Sequence, residues 1–181
     1  MKGLVVFYSA TGSNRYLAQK IAEKSGFEME EIHPRVNALF PQLLASLTKI
    51  GVGNRAIRRN FTEYDRIILC GPIWMGQVIY PLRSFIQKYK SQINKLYFLS
   101  CCGGGDEQKD SKFGYETVFF KMRSLLGDKF VSGFALPTQL LVKPGQREDE
   151  LMKTRLSAEN FSVVELRFND ALEEILKLRD I

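Results

Sequence analysis

Hydrophobic positions in this chain follow two rhythms. Short unbroken apolar runs stand at Leu4–Tyr8, Arg66–Gly71 (RIILCG) and Lys95–Cys101 (KLYFLSC). Runs of that length, bounded by turn residues, predict central strands covered on both faces. Elsewhere apolar residues recur every three or four positions, as helices require. This holds at about 13–24 (Leu17, Ala18, Ile21, Ala22), 38–50 (Leu39, Phe40, Leu43, Leu44, Leu47, Ile50), 81–89 (Leu82, Phe85, Ile86) and 115–126. Gly26 stops the first helix, and Pro41 and Pro81 fit first turns. Phe27–Ile32 (FEMEEI) alternates apolar and acidic residues, the pattern of a half-buried strand near a sheet edge. A further strand is expected at about 130–136, followed by irregular chain to 147 and a short charged helix at 147–156. A closing helix is expected at 162–178, opened by the capping-box spacing Ser162…Glu165.

Strand and helix alternate throughout, which predicts an α/β fold: a parallel sheet, doubly wound, with helices on both faces and right-handed crossovers. One domain spans 1–181, its last part (137–181) an irregular segment and helices. In such sheets ligands bind at the carboxyl ends of the strands. Three loops of small residues each follow a buried strand and so meet at that end: Ser9–Asn14, Pro72–Gln77 and Cys102–Gly105.

Composition changes this picture little. The 181 residues are 45% hydrophobic and 25% charged, enough for a sizeable core. No apolar run is long enough to span a bilayer and no signal-peptide pattern opens the chain, so a cytoplasmic protein is expected. Cys70, Cys101 and Cys102 form no disulfide framework and read as small buried hydrophobes in a reducing compartment. His33 is the only histidine, and no metal site is expected around it. The net charge of +6 favours an acidic protein, an anionic small molecule or nucleic acid as partner, but no nucleic-acid-binding motif accompanies it. Arg55, Arg58 and Arg59 stand at helical spacing in 54–60, either a solvated face or a docking surface for an acidic partner.

The loops carry the chemistry. In the first, Ser9, Thr11 and Ser13 offer hydroxyls, Asn14 an amide, and Gly12 close backbone approach, just where a helix begins. The triphosphatase and dinucleotide glycine patterns are both missing, and Arg15 is the only cation nearby in sequence. A phosphate monoester held by neutral donors fits, and so does a polar turn that merely caps the helix. In the second loop Trp74, the only tryptophan, either stacks on a planar ligand or packs into the core. The third loop has Gly103, Gly104 and Gly105, bare amides for a heteroaromatic edge or a flexible connector.

Ser9–Ala10–Thr11–Gly12 after the first strand and CGPIWMG after the third resemble the flavodoxin-like FMN-binding family, over most of the chain to about Leu136. The resemblance implies a five-stranded sheet of order 2-1-3-4-5. It implies that Ser9, Thr11, Gly12, Ser13 and Asn14 hold the FMN phosphate, and that Pro72, Ile73, Trp74, Met75 and Gly76 lie along the isoalloxazine. Ser100, Cys101, Cys102, Gly103, Gly104 and Gly105 would meet its pyrimidine edge. Two departures stand out: Ser13 precedes Asn14, reversing the family's usual order, and the first aromatics after the glycines are Phe113 and Tyr115, close to the next helix. The implied function is electron transfer to a redox partner protein. The alternative is an FMN-dependent oxidoreductase taking hydride from NAD(P)H to a quinone or other small acceptor. The sequence pI near 9.2 counts against an ordinary acidic carrier. A flavin-free interaction protein on the same fold is the third reading. No acid–base catalytic residue is singled out.

Overall fold

The computed structural model describes residues 1–36, 53–142 and 153–177. Within them the order is β1 (Gly3–Phe7), α1 (Ser13–Ser25), β2 (Glu28–Glu31), β3 (Arg66–Cys70), a hairpin of β4 (Ile73–Trp74) and β5 (Gln77–Val78), α2 (Tyr80–Tyr89), β6 (Leu96–Cys102), α3 (Tyr115–Leu126), β7 (Phe130–Pro137) and α4 (Glu165–Leu176). The main sheet is parallel throughout, in the order β2-β1-β3-β6-β7. With the hairpin set aside this is the expected 2-1-3-4-5 order.

Every residue of β1, β3 and β6 is buried, and the side chains sort by parity. Leu4, Val6, Ile67, Leu69, Leu96 and Phe98 pack with Leu82, Phe85 and Ile86 of α2 and Val118 and Met122 of α3. Val5, Phe7, Ile68, Cys70, Tyr97 and Leu99 pack with Leu17 and Ile21 of α1 and Phe168, Leu172 and Ile175 of α4. Successive strand residues point to opposite faces, so two covered faces demand the unbroken apolar run seen in the sequence. No helix among the described residues is long and apolar enough to cross a membrane.

Four local expectations need correction or fall outside the described residues. The helix at 38–50 and most of that at 147–156 lie outside them. Residues 55–60 are not helical. Instead Arg59 reaches the acidic edge strand, donating to Glu30 at 2.7 Å, to Glu28, and to the Tyr64 hydroxyl at 3.0 Å. The capping box does not form: α4 starts after Val164 with no side-chain cap, because Phe161 and Val164 are buried and hold a 3-10 turn at Phe161–Val163.

Candidate functional site

Beyond β1 the chain turns at Gly12, whose φ of +99° suits glycine. Its N–H donates to Ser9 Oγ at 3.1 Å. The first helical bond of α1 runs from Tyr16 N–H to Gly12 O at 2.9 Å. The amides of Ser13, Asn14 and Arg15 therefore begin the helix without intrahelical partners, at the positive end of its dipole. Thr11 and Gly12 are exposed above them, and a Cβ on Gly12 would meet nothing within 4 Å. This is an open, donor-lined cradle.

Ser13 and Asn14 contribute to it through backbone only. Asn14 Nδ2 donates to Cys101 O at 2.9 Å and its Oδ1 accepts from Cys101 N–H at 2.8 Å. Ser13 Oγ accepts from Leu156 N–H at 3.1 Å. Both side chains are buried, tying α1 to β6 and to the chain before α4. Arg15 is drawn aside by Glu31, 2.5 Å away.

The second loop is a hairpin rather than irregular chain, and Trp74 lies on a strand. Ile73 pairs with Val78 and Trp74 with Gln77, leaving Met75 (φ +50°) and Gly76 (φ +63°) as a two-residue turn. Positive φ at both central residues is the turn whose twist matches a right-handed hairpin. Only glycine fits the second place, since a Cβ on Gly76 would stand 2.2 Å from Lys112 O. Lys121 of α3 donates to Gly76 O at 2.6 Å and holds the turn from outside. Pro72, Ile73 and Trp74 are half-buried, Ile73 and Trp74 packing at the margin of the core. Met75 is 51% exposed.

In the third loop Ser100, Cys101 and Cys102 are buried, so their side chains face the core. Burial pushes the thiols up, Cys101 to about 11 and Cys102 to about 12, which keeps them protonated near neutrality. Gly103 is exposed with open space around it, Gly104 half-buried and Gly105 buried beneath Glu107 and Gln139. The chain that follows is pinned. Asp106 accepts from the Tyr115 hydroxyl at 2.6 Å and from Arg167 of α4 at 2.7 Å. Arg167 first, then Tyr115, holds the Asp106 carboxyl below its usual range, while burial and the Asp106 bond push the Tyr115 phenol up to about 12. Tyr115 is thereby turned inward, whereas Phe113 is 57% exposed and its backbone abuts Gly76.

The three loops touch: Asn14 joins the first to the third, and Gly76 joins the second to the chain after the third. Sequence reasoning missed Lys121, Arg167 and the Leu156 segment. None carries a local signal, because each meets its partner across a long stretch of chain.

A doubly wound α/β protein with a helix N-terminus, an aromatic hairpin and a glycine turn at one sheet edge is the class defined by this geometry. Residues 4–135 match the family model described as flavodoxin domain, and the chain belongs to that family. No curated protein sequence matches it. Among solved structures, a flavoprotein in complex with FMN from Lactobacillus acidophilus is 16% identical, covering 74% of this chain and 91% of its own, with a TM-score of 0.59. An NADPH-quinone reductase from P. pentosaceus is 13% identical over 94% of this chain and 98% of its own (TM-score 0.56). The Trp repressor binding protein from Bacillus subtilis is 16% identical over 98% and 100% (TM-score 0.53). These likenesses concern the fold.

Proposed function

We propose that this chain binds FMN at the ends of β1, β3 and β6 and serves as a cytoplasmic electron-transfer protein for a redox partner protein. The observation that carries the reading is the meeting of three ligand-type loops at one sheet edge, in a chain of the flavodoxin domain family. The donor set fits the cofactor. Ser9, Thr11 and the amides of Ser13, Asn14 and Arg15, with Gly12 leaving room for close approach, suit a phosphate monoester. Trp74 and the backbone of 72–76 suit a flat ring, and the amides of Gly103 and Gly104 suit its polar edge. Bound FMN would supply the reversible electron uptake that no side chain offers. The protein's own part is to orient it: Lys121 fixes the Gly76 carbonyl, and the Asp106–Arg167 pair fixes the glycine turn.

One observation favours the second reading, an NAD(P)H oxidoreductase acting on a quinone or similar acceptor. Tyr115 is locked to Asp106 and Arg167, so it does not cover the hairpin, and the exposed apolar side chains there are Met75 and Phe113. An uncovered ring face would admit a small substrate. The purified chain, incubated with FMN, should show flavin absorption bands, and Trp74→Ala should alter them and lower affinity. Absence of bands overturns both readings. Anaerobic bleaching by NAD(P)H alone selects the oxidoreductase, and reduction only through a partner reductase selects the carrier.

A further inference from the structure

A phosphate monoester carries nearly two negative charges at neutral pH, and the first loop offers it only neutral donors. The cation nearest in sequence, Arg15, is paired with Glu31. Another cation arrives from the far end of the chain. Residues 154–157 run across the start of α1, where the Leu156 N–H donates to Ser13 Oγ at 3.1 Å. The Leu156 side chain is buried in the same cluster as Leu17 and Ala18. Asn160 fastens the segment from behind: its Nδ2 donates to Arg155 O at 2.8 Å and its Oδ1 accepts from Ser157 N–H at 2.9 Å. Arg155 therefore stands one residue from an anchor on the first residue of α1. Its own side chain is exposed, with Nη1 donating to Thr154 O at 2.8 Å. Burial dominates the raised Cys101 thiol, and the Arg155 charge works in the opposite direction, holding it down.

We infer that Arg155 is the cation of the phosphate subsite, delivered by the Leu156–Ser13 anchor to neutralise the phosphate of FMN held on the amides at the start of α1. The inference rests on the FMN reading above. A guanidinium suits the task, since its fork of N–H donors matches phosphate oxygens and its charge persists at any working pH.

The test compares FMN with riboflavin, which has the same ring and no phosphate, by fluorescence titration of the flavin-stripped full chain. For Arg155→Gln, FMN dissociation should weaken about three- to tenfold while riboflavin dissociation stays unchanged. Arg155→Lys should recover much of the loss, and about 0.5 M salt should bring wild type and Arg155→Gln together. Unchanged FMN affinity in Arg155→Gln overturns the inference. An equal loss for both flavins also overturns it, by assigning Arg155 to fold integrity. Wild type binding FMN no tighter than riboflavin removes the subsite, and wild type binding neither overturns the FMN reading itself.

Discussion

Thr11 and Asn14 belong to one turn of chain and do opposite work. The Thr11 side chain is at the surface above the start of α1, whereas Asn14 makes two hydrogen bonds to the backbone of Cys101, both buried. Truncating Asn14 strands a buried N–H and a buried C=O, each worth about 1–3 kcal/mol when left without a partner. Asn14→Ala should therefore lose about 2–4 kcal/mol of stability, read as a lower urea midpoint. Thr11→Val should leave that midpoint in place and weaken FMN binding severalfold in a flavin titration. If Asn14→Ala unfolds like wild type, its side chain is no structural tie. The exchanged Ser13–Asn14 order thus has a physical meaning here: both side chains face inward, and only the amides of that turn stay open.

At the scale of elements, the Asp106–Tyr115–Arg167 group joins the third loop to α3 and α4. Asp106 has its carboxyl lowered, so its contribution is present above the ordinary carboxylate range and is lost as the pH falls below about 4. Tyr115 has its phenol raised from 10.0 to about 12, so its contribution is full below pH 10 and fades as the pH climbs from 10 to 12. Since the Arg167 and Asp106 side chains are 37% and 47% exposed, solvent screening limits the pair to about 1 kcal/mol at most. Urea denaturation should find Asp106→Asn slightly less stable than wild type at neutral pH, the gap closing in acid. From pH 10 to 12, wild type should lose stability more steeply than Tyr115→Phe. A gap that persists in acid would assign the effect to something other than the carboxylate charge. None of this group was legible in the sequence, because Arg167 and Asp106 are distant in the chain and no periodicity links them. The five main strands were legible: parity and burial write themselves into every residue of LVVF, RIILC and LYFLSCC. The hairpin was not, because two-residue strands are too short to show alternation and Met75 is an uncommon residue at positive φ.

For the whole molecule, the decisive question is what the last forty-odd residues do, since the family match ends at 135. They close the second face of the sheet. Phe168 and Ile175 are fully buried, with Val164, Phe161 and Leu172 nearly so, in the cluster that holds Val5, Phe7, Ile68 and Leu99. Arg66, buried in β3, donates to Ile175 O in the last turn of α4 and lies 5.8 Å from the Tyr97 ring centre. The same segment supplies both ties to the site, Leu156 to Ser13 and Arg167 to Asp106. Phe168→Ala should cost about 3–5 kcal/mol, a large part of the 5–15 kcal/mol that holds a domain together. It should shift the urea midpoint with little change in slope. A chain ending at Pro137 leaves α1 alone on one face of the central strands and bares to water the part of it that Phe161, Val164, Phe168, Leu172 and Ile175 cover. It should lose its cooperative transition and bind a hydrophobic dye such as ANS while keeping helical and strand circular dichroism. One steep urea transition in the 1–137 chain would show that those residues complete their own core, and the anchoring assigned to 154–177 would fall.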